Sequence, residues 1–92
     1  MSLKLIDNMV PDALVAVEKV CQGALLSGAH KPDDWREQGI EGCLTHMFLH
    51  SDCVNIESGE NLSKAADEDH LTNLCCRALM ALQLRIEQNT RK

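Results

Sequence analysis

The chain has 92 residues, 45% apolar and 25% charged, with a formal net charge of −5. A chain of this length forms one domain, residues 1–92, and hides only about 60% of its unfolded surface, so its private core is thin. With one Trp, one Phe, no Tyr and dispersed Lys and Arg residues, it lacks the basic stripe and stacking aromatics that grip nucleic-acid polymers. Such polymers are not expected partners, whereas small phosphorylated ligands need only a few placed cations or a magnesium ion.

The first helix is predicted to start at Pro11, because proline suits the first helical position and Asp12 complements the positive end of the dipole. Leu14, Val17, Cys21, Ala24 and Gly28 recur at spacings of three and four, and Ala13, Val20 and Leu25 widen that stripe. A stripe this wide implies burial on two sides. Ser27-Gly28 reads as its stop. "AHKPDDWREQG" follows as a polar loop or broken turn around Pro32. Trp35 within it is either a plug at the loop–helix junction or a ligand-stacking ring.

A second helix is predicted over residues 40–56, with Ile40, Leu44, Met47 and Val54 facing inward. "ESGENLSKAADED" breaks the pattern and reads as a connection. The third helix is predicted to start near Asp67 and run to about Glu87. Its stripe of Leu71, Leu74, Cys75, Ala78, Leu82 and Ile86 is the most regular in the chain. Acids at Asp67, Glu68 and Asp69 favour its start, and Arg85, Arg91 and Lys92 favour its end. The expected fold is all-α, three main helices in a small bundle. The apolar surface exceeds what a small monomer can hide, which favours a homo-oligomer built through the first helix.

Five cysteines are an odd number, and none forms a C-x-x-C pair. Cys75 and Cys76 point about 100° apart on a helix and cannot ligate one zinc ion together. All five fall in apolar periodic segments, where free cysteine behaves as a small hydrophobe. The N-terminal residues lack a charged stretch followed by a long apolar run, and no segment approaches membrane-spanning length. A reduced cytoplasmic protein without membrane contact is expected.

Two polar groupings stand out. His70, Asn73 and Arg77 share one face of the third helix beside its apolar stripe. Arg77 lies in the most apolar part of that helix, so it needs a partner, either a structural one such as Asp52 or Glu41 or a ligand phosphate. His46 and His50 are four residues apart on the second helix, a spacing able to bind metal, although no H-E-x-x-H context accompanies them. Candidate magnesium carboxylates are Glu41, Asp52, Glu60, Asp67 and Asp69, without a paired E-x-x-E and E-x-x-D signature. The chain contains no phosphate-binding glycine motif and no nucleophile elbow.

"VPDALVAVEKVCQGA", "DDWREQGI", "GEN" and "DEDHLTNLCCRALMALQ" together resemble small phage-encoded dATP/dGTP diphosphohydrolase-like proteins, related in architecture to the all-α MazG-type pyrophosphohydrolases. The likeness spans residues 10–84 and is anchored at Val10-Pro11, Trp35-Arg36, Gly39-Ile40, Gly59-Glu60 and His70-Leu71. It implies magnesium-dependent cleavage of a (deoxy)nucleoside triphosphate to monophosphate and pyrophosphate, in a host cytoplasm. Asp52, Glu60 and Asp69 would hold Mg2+, Arg36 and Arg77 would neutralise phosphates, and Trp35 would stack or wall the base. His70 would orient a phosphate or water, and Asn73 would complete the ligand-binding face. The family's Arg-His pair falls on Ser51-Asp52, an acidic position on Ser63, a second histidine on Asn73 and an asparagine on Arg77. Those polar changes favour the alternative, a non-catalytic binder that sequesters a signalling nucleotide against host defence. A structural oligomeric helical module is the third possibility.

Overall fold

A computed structural model of the chain describes residues 4–26, 34–62 and 68–90. These form four helices: α1 (Lys4–Met9), α2 (Pro11–Leu26), α3 (Gly39–Ser51) and α4 (His70–Thr90), with a 3-10 turn at Asp34–Gln38 leading into α3. The all-α expectation holds, with α1 added. The only β-pairing among the described residues is an isolated antiparallel bridge between Val54 and Asn61.

The helix boundaries follow from local chemistry. Val10 N–H donates to the Ile6 carbonyl at 3.0 Å and Leu14 N–H to the Val10 carbonyl at 3.1 Å, so α1 and α2 abut. Proline offers no N–H and biases the residue before it away from helical geometry, which divides them at Val10. The second main helix was expected to reach Ile56 but stops at Ser51. The Asn55 side-chain oxygen instead accepts from the Glu57 and Ser58 amides at 2.9 and 3.1 Å. This Asx turn outcompetes another helical turn. Asn55 N–H then donates to the Glu60 carbonyl and Leu62 N–H to the Cys53 carbonyl, closing a tight hairpin-like loop over residues 52–62. Gly59, at φ 76°, supplies the left-handed residue that this loop requires.

α4 starts at His70 rather than near Asp67, which lies outside the described residues. Asp69 is the cap. Its carboxylate accepts from the Leu71 and Thr72 amides at 3.2 and 3.4 Å and from the Thr72 hydroxyl at 2.8 Å. α4 also continues past the expected end at Glu87, to Thr90.

α3 and α4 pair most extensively and run antiparallel, α2 lies against α4, and α1 touches α2. Only Cys43, Cys76 and Ala81 among the described residues are buried, at 0%, 5% and 6% exposure. Small side chains at these points let the helices approach closely. Of the expected inner positions, Ile40, Met47, Val54, Leu74, Cys75 and Ala78 are half-buried, whereas Leu44, Leu71, Leu82 and Ile86 are 36–49% exposed. Periodicity identifies an apolar face, but the face that α4 turns to α3 carries His70 and Arg77. The most buried positions of α4, Cys76 and Ala81, therefore fall beside the leucine stripe, while Leu74, Cys75 and Ala78 within it are half-buried. No helix among the described residues is long and apolar enough to cross a membrane.

Candidate functional site

The polar face of α4 meets a polar face of α3. His50 Nδ1, in the last turn of α3, lies 2.9 Å from His70 Nδ1, the first residue of α4. The two rings are tilted by 42° with centroids 5.1 Å apart. Glu68 Oε1 is 3.7 Å from the same His70 nitrogen. One turn back along α3, His46 has its Nδ1 buried without a hydrogen-bond partner among the described residues. Farther along α4, Arg77 donates to the Gln38 side-chain oxygen at 3.0 Å. The arginine's partner is thus a neutral amide, where Asp52 or Glu41 had been the expectation. Burial, foremost, holds His50 below the ordinary imidazole value; Glu68 opposes this, while His70, Arg77 and His46 reinforce it.

An open cleft of about 490 Å³ adjoins this seam through Glu68 and is lined by residues 58–61 together with Glu68, Asp69 and Leu71. Glu68 belongs to both the cleft and the histidine cluster. Asn61 fixes their relation: its side-chain N–H donates to the Glu68 carbonyl at 2.7 Å, and its side-chain oxygen accepts from His70 N–H at 3.0 Å. The loop thereby clasps the start of α4.

The residues named from sequence divide into two groups. His70, Glu60 and Asp69 gather at the loop end of α4, where Glu60 and Asp69 line the cleft. Arg77 faces the same seam, and Asn73 donates through its side chain to the Asp69 carbonyl at 2.9 Å, securing the first turn. Asp52 is an exposed residue following α3 and is not part of the cleft lining. Trp35 and Arg36 lie elsewhere. The Arg36 guanidinium sits 4.6 Å from the Trp35 ring centre and donates to Glu87 at 2.6 Å. Glu87 is seventeen residues beyond His70, about 25 Å along the helix. Within one chain these two do not join the histidine cluster.

His50, Glu68 and Asn61 belong to the site although the sequence did not single them out as site residues. His50 was visible as half of the His46/His50 pair. What was missing was a signal that the last turn of one helix meets the first turn of the next, which depends on the intervening hairpin. Comparisons of the chain with protein-family models, with curated proteins and with solved structures find no match.

Proposed function

We propose that the chain binds a small phosphorylated ligand of nucleotide size at the junction of α3, α4 and the 52–62 loop. One observation carries this reading: His46, His70 and Arg77, all N–H donors, lie near His50, and the seam they form meets the acidic cleft through Glu68. The seam offers N–H donors to phosphate oxygens, and a neutral imidazole still donates one N–H. A volume of about 490 Å³ lies in the range of small-molecule sites. Glu60 and Glu68 supply hard oxygen donors of the type magnesium prefers, so a magnesium-bound phosphate suits an acidic cleft that would repel a bare one.

Binding without cleavage is the first reading. Asp69 is engaged as a helix cap and Asp52 stands outside the cleft, which thins the carboxylate set the resemblance implies for hydrolysis. Magnesium-dependent cleavage of a nucleoside triphosphate is the second reading, favoured by Glu60 and Glu68 in the lining of one cleft. In a homo-oligomer, the apolar groups that α2 leaves exposed, Val15 and Leu26 among them, would meet a second copy.

The test is incubation of the chain with linear and cyclic nucleotides plus magnesium, followed by chromatography and thermal denaturation. A raised Tm with intact ligand supports binding, turnover supports the enzyme, and neither would remove both. His70→Asn, which keeps a polar side chain, is expected to preserve the helical circular dichroism signal and weaken affinity at least about tenfold, roughly 1.4 kcal/mol. Unchanged affinity in that folded variant would take His70 out of the site.

A further inference from the structure

We infer that His50, His70 and Glu68 form a binding site for a borderline-soft divalent cation of the zinc class. One ligand atom from each of the three residues lies within 4.8 Å of the other two. The donor set is two imidazole nitrogens and one carboxylate, which suits zinc, copper or nickel. Magnesium prefers the oxygens of the neighbouring cleft. The inference therefore concerns a different ion from the one the nucleotide reading invokes, and it stands without that reading.

The geometry is close to what a tetrahedral ion needs. Metal–ligand bonds near 2.0–2.1 Å place neighbouring donors roughly 3.3 Å apart. The two Nδ1 atoms are 2.9 Å apart and Glu68 Oε1 is 3.7 Å from His70 Nδ1, so these two separations need to change by only about 0.4 Å. The His50–Glu68 separation lies within 4.8 Å and closes by rotation of the exposed carboxylate. Two of the donors sit on helices, His50 in α3 and His70 in α4. The third is held through its backbone, because Asn61 grips both the Glu68 carbonyl and the His70 amide. The frame is thus set before any ion arrives, a condition under which little ordering has to accompany binding. The His70 side chain is 12% exposed and Glu68 56%, so the cluster opens to solvent through the carboxylate. Three protein donors leave a fourth position for water or a ligand atom.

The same lone pairs can share a proton, in which case the 2.9 Å contact is an imidazole–imidazole hydrogen bond and nothing more. Arg77 and His46 also face His50, and the Arg77 charge opposes any cation there. The two outcomes separate experimentally. Untagged full-length chain, stripped with chelator and kept reduced, is titrated with Zn2+ by calorimetry and with Co2+ by absorption. We expect one ion per chain and a tetrahedral cobalt spectrum without a thiolate charge-transfer band. Glu68→Gln, at an exposed position, and His50→Gln are each expected to weaken binding at least about tenfold. Excess Mg2+ is expected to leave zinc bound. No zinc binding by the wild-type chain, affinity unchanged in both variants, a thiolate band, or displacement by Mg2+ would each overturn the site. Glu68→Gln keeps the test decisive if His50→Gln does not fold.

Discussion

The two ends of this small molecule differ in how their polar groups are tied. Where α3, the 52–62 loop and α4 meet, polar side chains are tied to one another and to backbone: Asn61 to Glu68 and His70, Asp69 to Leu71 and Thr72, Arg77 to Gln38. The α1–α2 arm holds few such ties and exposes apolar groups, with Leu5 75%, Met9 71%, Val15 50% and Leu26 87% accessible. The polar end exposes apolar groups as well, with Phe48 61%, Ile56 99%, Leu62 60% and Leu79 50% accessible. Both regions carry apolar area that stabilises nothing until something covers it. The contrast lies in the polar ties, which the α3–α4 end supplies in number.

The largest expected effect compares the two regions directly. Ala81→Glu places an unpaired charge in the small core and should cost several kcal/mol, abolishing the cooperative thermal transition seen by circular dichroism. Val15→Glu, the same charge on the exposed face of α2, should leave each chain helical while lowering the sedimentation mass toward one chain. A wild-type mass of one chain at micromolar concentration would remove self-association through the arm. Equal damage from both substitutions would mean that the two regions are not energetically distinct.

A smaller effect sharpens the picture at the loop end. Asp69→Ala removes the cap of α4 and should cost about 1 kcal/mol, a fall in Tm of roughly 4–8 °C for a domain of this size. A fall of less than about a degree would show that the Asn61 clasp alone holds the helix start.

The smallest perturbation is chemical. Burial pushes the Cys76 thiol up to about 12, with neighbouring Cys21 acting in the same direction. A raised pKa keeps the group a thiol, so at pH 8 only about one in ten thousand is thiolate, the form that reacts. Alkylation at Cys76 should therefore run at least about tenfold slower than at exposed Cys21. Equal rates by mass spectrometry would mean that α2 lifts readily from α4.

Legibility followed the range of the interaction. The α2 start at Pro11 and the shared face of His70, Asn73 and Arg77 depend on neighbours within a turn or two, and both were readable. The α3 end was misjudged because Asn55 and Gly59 make their turn through hydrogen bonds the apolar spacing does not encode. The α4 start was misjudged because three adjacent acids all suit a helix start, while one cap is used. The core face is legible in part: Ile40, Met47, Leu74 and Ala78 are half-buried as their spacing predicts, but the buried Cys43, Cys76 and Ala81 are small and contribute little to a hydrophobic stripe. The site was half legible. Its α4 half lies on one helix, but His50 reaches His70 only through the hairpin.

The Asn61 clasp has a consequence for how this sequence tolerates change in length. Asn61 is bonded across to Glu68 and His70, so the chain ends flanking residues 63–67 are held together by a contact those residues do not make. The entropy of closing a loop rises only slowly with its length, about 0.6 kcal/mol per doubling. Extra residues inserted between 63 and 67 should therefore leave the register of His70 against His50 where Asn61 sets it. The same insertion on the other side of the clasp, between Gly59 and Asn61, would shift that register.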